Sequence, residues 1–214
     1  MNLGRLFTAL GEHQAAAVWL QQASDLDPRN AEAASLAGAA WQQAGSALIA
    51  KRYFRRALDI RPDDPKALAG LGEALINGGR AVEARGMLER ARELGDATPR
   101  TESYLGLALT LSAASPAEAR EAVARLMSAR AAGERGSHLY YALGRAYLAS
   151  QDHPAAIRML NEGIKAHPDV AGLYYTLADV YAASGRLEES RVAREKSARL
   201  AAVRDHEEKL LKTI

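Results

Sequence analysis

The sequence predicts an all-α fold, a superhelical solenoid of about six helix-turn-helix hairpins with a C-terminal capping helix, on three observations. First, one unit returns along the chain at a spacing of about 34 residues. Second, that unit, seen best in residues 31–64 as AEAASLAGAAWQQAGSALIAKRYFRRALDIRPDD, holds two apolar-periodic segments split by Gly45 and Ser46 and closed by Pro62. Third, alanine is plentiful and aromatic residues make up only 6% of the chain, a composition suited to closely packed helices. A chain of this kind stacks copies of one supersecondary unit rather than folding around one central core.

The copies follow in order. Aligning on Pro62 puts Pro28 one period earlier and sets Gly4, Phe7, Gly11, Ala16, Leu20 and Ala23 under Gly38, Trp41, Gly45, Ala50, Phe54 and Ala57. The first copy, residues 1–30, is therefore shortened and begins inside its first helix. The third, residues 65–98, repeats the columns with Leu71, Gly72, Leu75, Gly79, Ala84, Leu88 and Ala91, and Gly95 is expected to end its second helix in a left-handed conformation. The fourth, residues 99–136, opens with Pro99, Leu105, Gly106 and Leu109 and then carries a surplus of residues. Ser115, Pro116 and Glu118 form a helix start with cap, first-turn proline and reciprocal acid. One surplus residue is placed before that start, and the others are expected to lengthen the helix toward Gly133. The fifth copy, residues 137–170, restores the frame with Tyr140, Leu143, Gly144, Tyr147, Ala156, Leu160, Gly163 and Pro168. The sixth, residues 171–204, follows with Tyr174, Leu177, Ala178, Tyr181, Gly185, Ser190 and Ser197. No Gly or Pro occurs after Leu187, so the last helix either runs on or restarts at Asp205 and Glu208 as a separate cap over residues 205–214.

A glycine inside a helix costs up to about 1 kcal/mol against alanine, so Gly38, Gly72, Gly106 and Gly144 at one phase indicate that a partner helix comes too close for a side chain. Phe54, Leu88 and Leu160 are then expected to fill the holes between successive pairs.

Composition excludes several classes of function. The 28 basic and 26 acidic residues nearly cancel to +2, which gives no field to concentrate polyanions. With no cysteine there is neither a disulfide nor a thiolate metal site. No apolar run approaches the 18 or so residues of a membrane span, and the first ten residues lack the features of an export signal, so the default placement is cytoplasmic, or periplasmic if an upstream signal was removed.

The repeat pattern resembles the tetratricopeptide repeat family from Leu3 to about Arg204. The resemblance implies a right-handed superhelix whose first helices line a concave groove that binds peptides or helices of partner proteins. Carried onto this chain, the groove residues are Glu32, Ser35 and Gln42 in the second copy and Lys66, Ala69, Glu73 and Ile76 in the third. The fourth copy contributes Ser103, Tyr104, Leu107 and Thr110, the fifth His138, Tyr141, Arg145 and Leu148, and the sixth Tyr175, Thr176 and Asp179. Of these, Gln42, Glu73, Tyr104, Leu107, Tyr141, Arg145, Leu148, Tyr175 and Asp179 are the candidate contact residues. Tyrosines suit contact surfaces, and Arg145 suits a partner carboxylate; Tyr141 and Tyr175 would serve equally as packing between repeats. Family members that grip the C-terminal carboxylate of chaperone tails use Lys, Asn and Arg on neighbouring first helices. Here Ser35, Ala39, Ala69 and Glu73 stand at that phase, so the clamp is absent.

Sharper motifs give way to plainer readings. Lys51, Arg52, Arg55 and Arg56 surround Tyr53 and Phe54, but Phe54 is a packing column, so the charges read as a solvated outer face and not as a nucleic-acid site. The five histidines lack metal-ligand spacing. Gly70-Leu71-Gly72 lies within a helix with no strand before it, which rules out a dinucleotide loop. No catalytic constellation is visible, and neither enzyme activity, cofactor nor metal is expected. Leu200, Val203, Leu210, Leu211 and Ile214 form an apolar stripe that covers the open end of the last repeat or, alternatively, joins two copies of the chain. The expected function is a non-enzymatic adaptor or scaffold that holds a partner peptide or helix and assembles a complex. The alternative is a regulatory or targeting module of a larger bacterial enzyme or of a secretion or envelope assembly machine.

Overall fold

In the computed structural model, backbone is described for residues 1–211 and side chains for residues 1–203. The described residues form twelve helices and no strand. They divide into two compact units, Met1–Ala108 and Leu109–Ile214. Both units are built from the same hairpin, which places the chain in the all-α helical-repeat class.

The first unit contains α1 (Asn2–Ala9), α2 (His13–Leu26), α3 (Ala31–Gln43), α4 (Ala47–Ile60), α5 (Pro65–Asn77) and α6 (Ala81–Glu93), and α7 (Pro99–Ser112) begins in it. Packing runs from helix to helix along α1 to α6, and α3 also packs on α5, so first helices of neighbouring copies touch directly. The second unit contains α8 (Pro116–Ala131), α9 (Ser137–Ala149), α10 (His153–Ala166), α11 (Ala171–Ala183) and α12 (Leu187–Leu211), with the same consecutive packing and a direct α9–α11 contact.

Local chemistry sets the boundaries. In the first two copies the last residue caps the first helix of the next: Asn30 Oδ1 accepts from the amide of Ala33 at 2.9 Å, and Asp64 Oδ1 accepts from the amides of Lys66 and Ala67 at 3.1 Å each. Within the hairpins, Gly11, Gly45, Gly79 and Gly185 turn the chain at φ between +73° and +78°. The fifth copy makes the same turn with Gln151 at φ +65°, a left-handed conformation that costs a side-chain-bearing residue roughly 1–2 kcal/mol. The hydrogen bonds of the turn hold it there regardless: Asp152 N–H donates to Tyr147 O at 2.9 Å, as Ser46 N–H does to Trp41 O at 2.8 Å in the second copy. Gly95 ends its helix at φ +98°, in the left-handed region expected for it.

The small-residue column has a single cause. A Cβ on Gly38 would lie 2.7 Å from Phe54 Cδ1, one on Gly72 2.6 Å from Leu88 Cγ, and one on Gly144 2.6 Å from Leu160 Cγ. The large side chain that excludes it belongs to the second helix of the same hairpin. Phe54 also reaches the next copy, where its ring excludes any side chain at Gly70. The Gly70-Leu71-Gly72 segment is thus a packing surface.

The fourth copy departs from expectation. Ser115 does cap α8, with its hydroxyl accepting from Glu118 N–H at 3.3 Å while Glu118 Oε2 accepts from Ala114 N–H at 2.6 Å. The buried set Ala122, Leu126 and Ala129 repeats the 4-and-3 spacing of Ala84, Leu88 and Ala91, and Gly133 occupies the place of Gly95. All surplus residues therefore precede Ala122, and α8 is extended at its start rather than toward Gly133. The strong Ser-Pro start lets the helix begin nearly one turn earlier, whereas the closing glycine keeps its register. At the C-terminus, α12 is unbroken from Leu187 to Leu211, without a restart at Asp205. The side chains of Leu210, Leu211 and Ile214 lie outside the described residues.

Candidate functional site

In the first unit the contact between α3 and α5, with the start of α7, leaves a cleft of about 290 Å³. Its floor is small: Ser35 and Ala39 from α3, Ala69 and Gly70 from α5. Its wall is polar, formed by Gln42, Glu73 and Arg100, and exposed Lys66 stands at the mouth. Small floor residues allow another backbone to approach closely, and polar groups fix its direction.

Glu73 is almost fully buried, so its charge must be answered from within. Arg100 supplies a fork: Nε donates to Oε1 at 2.9 Å and Nη2 to Oε2 at 2.8 Å. Gln42 Nε2 donates to Oε2 as well. The network joins three first helices through residues 31 and 27 apart in sequence. Arg100 also lies over the Tyr104 ring, with its guanidinium carbon 5.4 Å from the centroid.

The structure thus brings together Gln42 and Glu73 of the sequence-derived set. Arg100 lies outside that set, although it holds the second position of its helix, the column of Glu32 and Lys66; extending that column to the fourth copy finds it. Tyr104 and Leu107 do not line this cleft. They are 8% and 3% exposed, their apolar surface is taken up in packing, and Tyr104 lies beneath Arg100. Ser103 and Ile76 are likewise buried.

In the second unit, Tyr141 and Leu148 on α9 are partly buried against a cluster of Tyr140, Leu160, Leu173, Leu177 and Val180. Arg145, on the same face between them, is partly exposed. On α11, Tyr175 is half exposed and Asp179 accepts from Arg194 Nη2 at 3.0 Å. The Arg194 guanidinium also stands 5.7 Å from the Tyr175 centroid. Arg194 occupies the column of Phe54, Leu88 and Leu160, and a charge at a core column is the sequence signal that marks it. Thr176 is buried, its hydroxyl donating to Gly172 O at 2.9 Å. In the same last hairpin the small column is held by Ser190 and Ser197, which donate to Ala178 O at 2.8 Å and to Ala171 O at 2.9 Å.

Behind this wall, Arg130 Nη2 donates to both oxygens of Glu162 at 2.7 and 2.8 Å, and the Tyr140 hydroxyl donates to Oε1 at 3.2 Å. The Arg130 hydrogen bonds hold the Glu162 carboxyl below the usual glutamate range. Burial, and then the Glu162 charge, push the Tyr140 hydroxyl up. On the outer face of the first unit, Arg56 of the basic cluster donates to Asp25 at 2.8 Å and to Ser24 O at 2.9 Å, while Arg52 and Arg55 are exposed. Among the described residues no three His, Asp or Glu side chains gather as a metal site, and no helix is long and apolar enough to cross a membrane.

Sequence models described as Tetratricopeptide repeat match residues 42–101, 141–203 and 1–30. A search of curated protein sequences found no match. Among solved structures, that of the APC/C hetero-tetramer Cut9-Hcn1 aligns with a TM-score of 0.73 at 17% identity, over 93% of this chain; the chain spans only 39% of its counterpart. TTC0263, a thermophilic TPR protein of Thermus thermophilus, aligns with a TM-score of 0.63 at 21% identity, over 81% of this chain and 92% of that one. YrrB, described as a TPR protein with an unusual peptide-binding site, aligns with a TM-score of 0.54 at 16% identity, over 85% and 91%. At these identities the likeness is one of fold. The matched segments and the hairpin packed by glycine against a large side chain agree, and the chain belongs to the tetratricopeptide repeat family.

Proposed function

We propose that the protein is a non-enzymatic interaction scaffold that holds a segment of a partner polypeptide against the inner faces of its first helices. The observation that carries this reading is the first-unit cleft, with a floor of Ser35, Ala39, Ala69 and Gly70 beside the polar wall of Gln42, Glu73 and Arg100. A cleft of this size suits side chains and backbone of a peptide better than a large cofactor. In the second unit, Tyr141, Arg145, Leu148 and Tyr175 offer the corresponding contact face. Repeat proteins present such extended surfaces because each unit adds a further strip of exposed helix.

The test is a peptide library displayed as internal fusions and panned against the purified chain. Peptides retained by the wild type should lose affinity at least tenfold for either Ala39→Trp, which fills the first-unit cleft, or Tyr141→Ala, with helicity unchanged by circular dichroism. Retained peptides indifferent to both variants would reject the inner faces as the binding surface.

A further inference from the structure

The two units answer the same helical position in opposite ways. In the third copy the ninth residue of the first helix is Glu73, and the second residue of the next first helix is Arg100, which reaches back and neutralises it at 2.8–2.9 Å. In the fifth copy the ninth residue is Arg145, a charge of the other sign. The second residue of the next first helix is now Gly172, which has no side chain to reach back with. A Cβ built on Gly172 meets nothing within 4 Å, so no side chain packs over the position that Arg100 holds in the first unit.

Arg145 is also set apart by its surroundings. Among the described residues, every other half-buried arginine has an acidic partner: Arg56 with Asp25, Arg85 with Glu89, Arg125 with Glu121 and Arg130 with Glu162. Asp179 on the neighbouring helix is taken by Arg194. A partly desolvated guanidinium with no carboxylate partner among the described residues is a site of unmet charge.

We propose that the inner face of the second unit, at Arg145, receives an aspartate or glutamate side chain from within a bound polypeptide segment. The guanidinium fork takes a carboxylate through two hydrogen bonds. Tyr141 lies one turn before Arg145 and Leu148 one turn after, so apolar contact surface continues on both sides of the charge. The bound acid therefore has chain running in both directions and is internal to its segment rather than a free C-terminus. No side chain packs on Gly172, the position from which Arg100 reaches back in the first unit, so nothing from that position competes for Arg145.

This inference rests on the scaffold reading above, and the experiment separates the two. The probes are synthetic peptides retained by the wild type, C-terminally amidated, each paired with a version in which its Asp or Glu is replaced by Lys. Wild type should bind the acidic version at least tenfold more tightly, and Arg145→Glu should reverse that preference, a rescue that a merely misfolded variant could not show. If the library yields no retained peptide, the scaffold reading itself fails. If peptides are retained but carry no acid, or if Arg145→Glu leaves the preference unchanged, only the assignment at Arg145 is overturned. Tight binding that returns only when the amide is replaced by a free C-terminal carboxylate, whatever the internal residue, would overturn it as well.

Discussion

At the scale of single residues, the glycines of this chain do two opposite jobs, and their surroundings decide which. Gly72 lies against Leu88, whose branch point at Cγ is 2.6 Å from where a Cβ would be. A branch point cannot swing aside as a flexible tip can. Gly86, inside α6, faces open space. The same substitution should therefore have opposite signs. Gly72→Ala should destabilise by about 1–3 kcal/mol through overpacking, whereas Gly86→Ala should stabilise by about 0.5–1 kcal/mol through helix propensity. Urea unfolding of the two variants measures both, and equal signs would refute the packing account. The column containing Gly72 was legible in the sequence because repetition set four glycines at one phase. The openness around Gly86 was not legible, because a lone glycine in one copy carries no such comparison.

At the scale of elements, contacts between neighbouring second helices depend on charge as well as on packing. Glu162 on α10 takes its hydrogen bonds from Arg130 on α8 and Tyr140 on α9. Its carboxyl titrates lower in the folded chain than in the unfolded one. The pair therefore stabilises the fold above the unfolded-state value, and this stability is lost as pH falls through the folded-state value. Glu162→Gln should flatten the acid limb of a plot of Tm against pH between about pH 3 and 5, while lowering Tm at neutral pH. An acid limb as steep as that of the wild type would show that other carboxylates control it. The effect is modest, since Glu162 is 39% exposed and solvent screens the pair. None of this network was read from the sequence. Arg130 and Glu162 stand 32 residues apart, and the surplus in the fourth copy hid their alignment.

At the scale of the whole molecule, a repeat array holds together through contacts between neighbours, so damage should stay local. Gly72→Ala should speed amide exchange in α3 to α6 and leave α9 to α12 near the wild-type rate. Gly144→Ala should do the reverse. Mass-spectrometric hydrogen exchange reads both, and uniform acceleration throughout would mean that the chain unfolds as one cooperative block. This expectation follows from the division into two compact units and from the consecutive packing along α1 to α6 and along α8 to α12.

The amino-acid sequence alone determined the class, the hairpin period, the Ser115 cap and most helix ends, because these follow from local signals and from their return at one spacing. It also placed Gln42 and Glu73 on one face. Tertiary structure decided the rest: that Tyr104 and Leu107 are buried while Tyr175 is half exposed, that Arg100 neutralises Glu73, and that Arg194 crosses to Asp179. Those outcomes depend on long side chains reaching from one helix to another after the hairpins stack. A pattern repeated along the chain fixes which face a residue occupies, but the reach of its neighbour across the packed helices fixes what it meets there.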